Sequence, residues 1–337
     1  MMILIDALYI NNSGGLRLLQ YLVNSLLRLR LDFYLLSDIR CNGIFKDIQH
    51  VRYMKASMRN RKRFYQKEGQ RFTKVLCFGN IPVPLKLEVP VYTYFHNINL
   101  LTLSEAHSFF ILAKSWLKRE VFKHYKKNTD YWLVQTSNTA NELIKHLVET
   151  QERVKLMPFY ELPKKISFLQ GVIHGDDYVY ISTYVPGKGH DELLEAWRIL
   201  HQLGIDVKLH LTVPFECHTF IDRITRVQAE GVNVVNHGLI PFKQVIELYG
   251  QSKAIVYPSH NESLGLGIVE ALEAGCDVIA SDLPFAHSIC KPSVTFNPFS
   301  PESIADAIIE YEKGGAPKSV LLINNQIDDL MNLLVNK

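Results

Sequence analysis

The chain has 337 residues, more than one hydrophobic core ordinarily serves, so two domains are expected. Its 47% hydrophobic and 21% charged residues are those of a globular protein, and a net charge of +3 lacks the basic footprint of a nucleic-acid binder. The cysteines (Cys41, Cys77, Cys217, Cys276, Cys290) are scattered, odd in number and without C-x-x-C spacing. That pattern argues against a disulfide framework and for a reducing, cytoplasmic setting.

Met2–Ile5 reads as the first strand, and Asp6 interrupts it too early for the apolar core of a signal peptide. No apolar run approaches the roughly 20 residues of a spanning helix, so a membrane is expected to be met only from its surface. Gly14-Gly15 then precedes a helical pattern of Leu16, Leu19, Leu22, Val23, Leu26 and Leu27. The glycines fit first a tight turn, and second a backbone edge that lets a phosphate or sugar come close. G-x-G-x-x-G is absent, which argues against a nicotinamide dinucleotide.

Phe33–Leu36 and Val51–Met54 are the next strands. A basic run follows: Arg52, Lys55, Arg59, Arg61, Lys62, Arg63, Lys67, Arg71 and Lys74, with Glu68 as its one acid. It reads as a helix over 57–71, either a solvated face or a patch for anionic lipid. Val75–Phe78 and Val91–Phe95 are strands, the second ending at His96-Asn97. From Ser104 to Lys127 a helical pattern interleaves Phe109, Phe110, Trp116, Phe122 and Tyr125 with lysines. Such a stripe suits a core face, and also the surface of an anionic membrane. Tyr131–Gln135 is a strand, Ser137 caps a helix to about Glu149, and Val154–Met157 is a strand.

Prolines and glycines break the rhythm from Pro158 to Asp177, the expected domain boundary. Alternation then restarts: strand Tyr178–Ser182, helix Asp191–Leu203, strand Val207–Thr212, helix His218–Glu230, strand Val232–Val235, helix Phe242–Tyr249. Strands alternating with helices on both sides of the boundary imply two doubly wound parallel sheets. The expected division is 1–160, 170–315 and a C-terminal helical segment 316–337, from about Lys318, that packs back on the first domain.

The most informative stretch runs from Ala254 to Ser281, AIVYPSHNESLGLGIVEALEAGCDVIAS. It reads as a buried strand, a polar loop, a helix opening near Gly265 and Gly267, a stop at Gly275 and a strand from Asp277. A helix N-terminus just beyond a parallel strand is where open α/β sheets bind anions. Glu262 in the loop and Glu270 in the helix flank that point.

This stretch resembles the signature of the family-4 retaining glycosyltransferases of GT-B fold. They carry two glutamates at this separation around a glycine-rich centre, with a flanking P-S and a following G-x-P-V-I-A-S. Here the matches are Pro258, Ser259, Glu262, Gly265, Glu270, Ala271, Ala274, Gly275, Val278, Ile279, Ala280 and Ser281, while Asp277 replaces the usual proline. The resemblance extends more weakly through VPGKGHDELLEAW and VNVVNHGLIPFKQVIELYGQSKAIVYPS, and in the first domain through Gly14-Gly15, FGN and YFHN. YFHN and VQTSN are similar to bacterial surface-polysaccharide members.

The resemblance implies a GT-B fold, two Rossmann-like domains facing a cleft. It implies a retaining transferase that moves a sugar from a nucleotide sugar, UDP-linked ahead of GDP-linked, to a lipid-linked or polysaccharide acceptor. It implies Glu262, Lys188 and His96 as the catalytic set. Glu262 would meet the sugar hydroxyls or the developing charge, Lys188 the diphosphate, and His96 the donor sugar. Donor binding would fall to Glu270 on the ribose, to the backbone of Leu264, Gly265, Leu266 and Gly267 at the phosphates, to Gly14 and Gly15, and to His237 and Leu239 at the base. No D-x-D triplet occurs, so no metal and no other cofactor are expected. The partners would be the donor and a glycan or lipid-linked acceptor, with peripheral contact to the inner face of an anionic membrane and no nucleic acid. One departure stands out: Thr183 occupies the place of an arginine found in many relatives, so a diphosphate site loses a bidentate cation. That substitution supports the alternative of a non-catalytic GT-B protein that binds a nucleotide sugar or partners another transferase. A GT-B nucleotide-sugar epimerase fits the glutamate pattern less well.

Overall fold

A computed structural model describes residues 2–11, 13–101, 120–147, 150–161 and 175–336. The aromatic–lysine stretch over 104–119 and most of the expected domain boundary, 162–174, lie outside the described residues. The chain divides into two compact units, Met1–Glu161 with Asn324–Lys337, and Leu162–Ile323. Among the described residues no helix is long and apolar enough to cross a membrane.

The first unit is built on strands β1 (Ile3–Ala7), β2 (Phe33–Asp38), β3 (Val51–Met54), β4 (Lys74–Cys77), β5 (Val91–Phe95), β6 (Tyr131–Val134) and β7 (Val154–Leu156). They form a parallel sheet in the order β3-β2-β1-β4-β5-β6-β7. The central strands β1, β4 and β5 are buried along their length because helices cover both faces. On one face Leu19, Leu22 and Leu26 of helix Ser13–Arg28 join Leu330, Met331 and Leu334 of helix Ile327–Val335. On the other, Phe64 and Tyr65 of helix Met58–Glu68 pack on Leu4, Leu36 and Val75. Arg61 sits on that inner face. Its side chain and that of Asp6 in β1 are each 1% exposed, and Arg61 Nε donates to Asp6 Oδ2 at 2.7 Å. Tyr65 donates to the same oxygen at 2.7 Å, and Arg61 Nη1 donates to the Pro82 carbonyl at 2.7 Å. One cation of the basic run is therefore an internal pairing group, while Arg59, Lys62, Arg63 and Lys67 face solvent.

The second unit holds β8 (Asp177–Tyr180), β9 (Leu209–Leu211), β10 (Val234–Asn236), β11 (Ser252–Tyr257), β12 (Asp277–Ser281) and β14 (Val294–Phe296), parallel in the order β10-β9-β8-β11-β12-β14. The chain winds outward from β8 to β10 and then crosses back to β11. The strand order reverses between β8 and β11, as it does between β1 and β4 in the first unit, and ligands of open α/β sheets bind at such points.

Three local expectations change. Thr136, not Ser137, caps the helix Ser137–His146, its hydroxyl accepting from Thr139 N at 3.2 Å. Both residues suit a cap, and the strand ending at Val134 decides which one is extended. The segment after Lys318 is not helical. It forms β15 (Val320–Leu321), antiparallel to β13 (Cys290–Lys291), and the last helix begins at Ile327. Asp177, placed by the sequence at the end of the boundary segment, is the first residue of β8, and it accepts from Lys208 and His210. Asp277, in the usual proline's place, accepts from Tyr311, Lys318 and Ser319 N, and these bonds hold its carboxyl below the ordinary carboxylate range despite burial.

Candidate functional site

In the second unit, the ends of β8 and β11 lie side by side and carry the two most informative loops. After β8 the chain turns through Pro186-Gly187-Lys188-Gly189 into helix His190–Gln202. Gly189 is left-handed at φ +67°, and a Cβ there would sit 2.3 Å from the Pro258 carbonyl oxygen. Only glycine lets this turn press against the end of β11. The two loops are tied together: His260 N donates to the Gly187 carbonyl at 2.8 Å, and Tyr180 OH donates to the Lys188 carbonyl at 2.8 Å and lies 3.1 Å from Ser259 Oγ. Ser281 Oγ, from β12, donates to the Ser259 carbonyl at 2.9 Å.

These ties bring Lys188 onto Glu262. Lys188 Nζ donates to Glu262 Oε1, and the buried Tyr257 hydroxyl donates to the same oxygen at 2.9 Å. The pair is a quarter or less exposed on each side. Burial, and then the Glu262 charge, push the Tyr257 hydroxyl pKa well up, so it serves as a donor throughout the working pH range. Tyr257 was not singled out from the sequence, although its place just before Pro258 in the quoted motif marks it.

Gly265 follows at φ +62° and caps helix Leu266–Glu273. First-turn N–H groups of a helix have no intrahelical acceptor and carry the positive end of the dipole. The backbone of Leu264, Gly265, Leu266 and Gly267 is thus presented one short loop from the Lys188–Glu262 pair. Glu270 is buried within the same helix, with Tyr249 OH donating to Oε2 at 3.4 Å. Farther along the same sheet edge, His237 pairs with His210, and Leu239 is 70% exposed next to Gly238. Phe215, 57% exposed after β9, lies against the Gly238 backbone. Thr183 is exposed.

In the first unit, the ends of β1, β4 and β5 gather another group. Gly14 and Gly15 lie inside the first turn of helix Ser13–Arg28 rather than ahead of it. A Cβ on Gly15 would stand 3.3 Å from His96 Cε1, so these two predicted residues are neighbours. His96 N donates to Asn80 Oδ1 at 2.8 Å, and Asn80 itself is held at φ +67°. His96 Nε2 lies 3.1 Å from the Phe78 carbonyl and 3.4 Å from Asn80 Nδ2, one an acceptor and the other a donor. Burial pushes the His96 pKa down to about 4, which keeps the ring neutral at physiological pH. Beside Asn80 is a cavity of about 450 Å³ walled by Tyr9, Met58, Ile81, Leu100 and Phe122. Among the described residues no three His, Cys, Asp or Glu side chains gather to hold a metal ion.

Two parallel α/β units with their loops gathered at the strand-order reversals define the GT-B class. Solved structures bear this out. The chain matches WaaG, a glycosyltransferase involved in lipopolysaccharide biosynthesis, with TM-score 0.70 at 12% identity, over 100% of both chains. It matches Anabaena HepE in complex with UDP-glucose with TM-score 0.66 at 16% identity, over 99% of this chain and 95% of that one.

Residues 175–328 match the family "Glycosyl transferases group 1", a stretch that falls almost wholly in the second unit. Among curated proteins, 160 residues are 24% identical to the serotype-specific mannosyltransferase WbdA of Escherichia coli. That match spans 45% of this chain and 20% of the length of WbdA.

Proposed function

We propose that the chain is a retaining glycosyltransferase, moving a hexosyl group from a nucleotide sugar to a glycan or lipid-linked acceptor in bacterial surface-glycan synthesis. The observation that carries this is the Lys188–Glu262 pair, set at the strand-order reversal one loop from a glycine-opened helix N-terminus. A departing nucleoside diphosphate needs its growing charge met without solvent rearrangement, and a cation beside fixed N–H donors does that. Lys188 and the backbone of Leu264, Gly265, Leu266 and Gly267 take that role. Glu262 engages the sugar hydroxyls, Glu270 the ribose, and the backbone of His237 and Leu239 the base. In the first unit the neutral His96, beside Gly14-Gly15, is suited to a sugar hydroxyl. The reaction course follows front-face attack, in which the leaving phosphate helps deprotonate the acceptor hydroxyl and no dedicated base is required.

The names of the similar proteins support this reading: WbdA is a mannosyltransferase, and HepE is solved with UDP-glucose. UDP-sugars are proposed ahead of GDP-sugars as donors, no metal or other cofactor is needed, and the exposed cations of helix Met58–Glu68 suit the inner face of an anionic membrane.

A thermal-shift panel of nucleoside diphosphates and nucleotide sugars tests the donor directly, since ligands of the folded state raise the melting temperature by mass action. Lys188→Ala and Glu270→Ala are each expected to lower transfer by roughly 10²-fold, the scale of losing a preorganised stabilising group. Near-full transfer in both variants overturns the site. Donor binding without transfer or donor hydrolysis points instead to the non-catalytic reading that Thr183 favours.

A further inference from the structure

The cavity beside Asn80 in the first unit is built from parts that are each held in place. The Tyr9 hydroxyl donates to Met58 Sδ at 2.9 Å, and the Arg61 guanidinium lies 5.6 Å from the centre of the Tyr9 ring. The same buried guanidinium fixes another wall: Nη2 donates to the Ile81 carbonyl at 2.9 Å and Nη1 to the Pro82 carbonyl at 2.7 Å. Phe122 is 4% exposed, stacked on Trp132 at 5.4 Å and edge-on to Phe95 at 5.5 Å. A hollow framed this way is formed before any ligand arrives, so little ordering cost is left to binding.

Its lining says what it can hold. Met58, Ile81, Leu100, Val121 and Phe122 give it hydrocarbon walls, and no carboxylate is among them. The buried polar groups it has are used internally, the Tyr9 hydroxyl by Met58 and the Asn80 side chain by His96. Among the described residues that leaves the exposed Asn97 at its edge. A hydrocarbon occupant frees water from these walls and requires no hydrogen bond from them.

Cations stand on two of the elements that make the walls. Met58 opens the helix Met58–Glu68. Arg59 is its neighbour and Lys62 follows one turn on along the same stripe, both exposed. The helix has no acid before Glu68, which is taken up by Arg52 and Arg71. Beyond Phe122 come the exposed Lys123 and Lys127, the former held by Glu120 at 2.8 Å. An apolar hollow between two cationic elements is complementary to a molecule with an apolar tail and an anionic head.

We propose that this cavity takes a hydrocarbon chain of a lipid phosphate, with Arg59 and Lys62 meeting the phosphate. The site needs neither the donor nor the reaction. It rests on the proposed transfer only for the further step that this lipid carries the acceptor hydroxyl. Tail and head then contribute separately, the tail through buried area and the head through charge.

The probes are ethyl, butyl, hexyl and octyl phosphate, titrated calorimetrically into the full chain below their micelle concentrations. Each two-carbon step is expected to tighten binding about tenfold, the scale of two methylenes removed from water. Octyl glucoside, with the same tail and a neutral head, is expected to bind about tenfold more weakly than octyl phosphate. That gap is expected to shrink as salt is raised. Ile81→Trp, which fills the hollow, is expected to flatten the chain-length series, and Lys62→Glu to narrow the gap between the two heads. Ethyl phosphate binding as tightly as octyl phosphate marks a site for free phosphate and overturns the inference. Equal affinity for octyl phosphate and octyl glucoside, or a chain-length series unchanged by Ile81→Trp, overturns it as well. The wild-type series decides the matter by itself if a variant fails to fold. UDP titrated on the same sample keeps the two readings apart. Binding of UDP without octyl phosphate sinks this inference alone, and binding of octyl phosphate without any nucleoside diphosphate sinks the donor site alone.

Discussion

Lys188 and Glu262 are 74 residues apart in the chain and meet on one carboxylate oxygen, with the Tyr257 hydroxyl as a third group. A lysine held this way is a prepositioned cation rather than a flexible surface one, which matters where Thr183 removes a second positive charge. Histidines carry the pH dependence at this scale. Burial brings the pKa of His96 and of His190 from the ordinary 6.5 to about 4. Between those values the unfolded chain binds more protons than the folded one, so stability is full above about pH 7 and falls as pH drops from 6.5 toward 4. Melting temperature followed from pH 8 to pH 4.5 is expected to be flat at the upper end and to decline below pH 6.5. A melting temperature that stays level down to pH 5 contradicts the buried, neutral state of these rings.

Two short elements do the positioning. The turn from Val185 to Gly189 and the loop from Pro258 to Gly265 are shaped by glycines whose left-handed conformations no other residue adopts cheaply. At Gly189 the conformation and the 2.3 Å approach to the Pro258 carbonyl act together. Gly189→Ala is expected to cost about 2 kcal/mol or more of stability, because both the backbone strain and the clash must be relieved. It is also expected to weaken nucleoside diphosphate binding by displacing Lys188, a result read by chemical denaturation and titration on the same sample. Unchanged values in both show that the two loops do not depend on each other. Motif and element agree here: the glycines and glutamates were legible in the sequence because each has a fixed place along one strand–loop–helix. Tyr257 was less so, since an aromatic at the end of a buried strand looks like core until its hydroxyl is seen on Glu262.

At the scale of the molecule, the chain returns at its end to the unit in which it began. Ile327, Leu330, Met331 and Leu334 are buried in the first unit's core, and Lys74 Nζ donates to the carbonyls of Leu333, at 2.7 Å, and Asn336. Removing residues 324–337 withdraws four buried apolar side chains at roughly 2 kcal/mol each. Truncation before Asn324 is expected to weaken the first unit and leave the second largely intact. Hydrogen exchange would show this as faster exchange in β1 and β2 against unchanged protection in β11 and β12. Uniform protection in both units would show that the tail contributes nothing to the first.

The sequence alone determined the alternation of strand and helix, two parallel sheets and the motif around Glu262 and Glu270, because these follow from periodicity and from residues close together in the chain. The burial of Arg61 against Asp6 and the short pairing of Val320–Leu321 were decided by tertiary packing. So was the line from Asp177 through His210 to His237. Each of these depends on which distant strands become neighbours and in what register, and one residue of slip would turn every side chain in a strand to the opposite face.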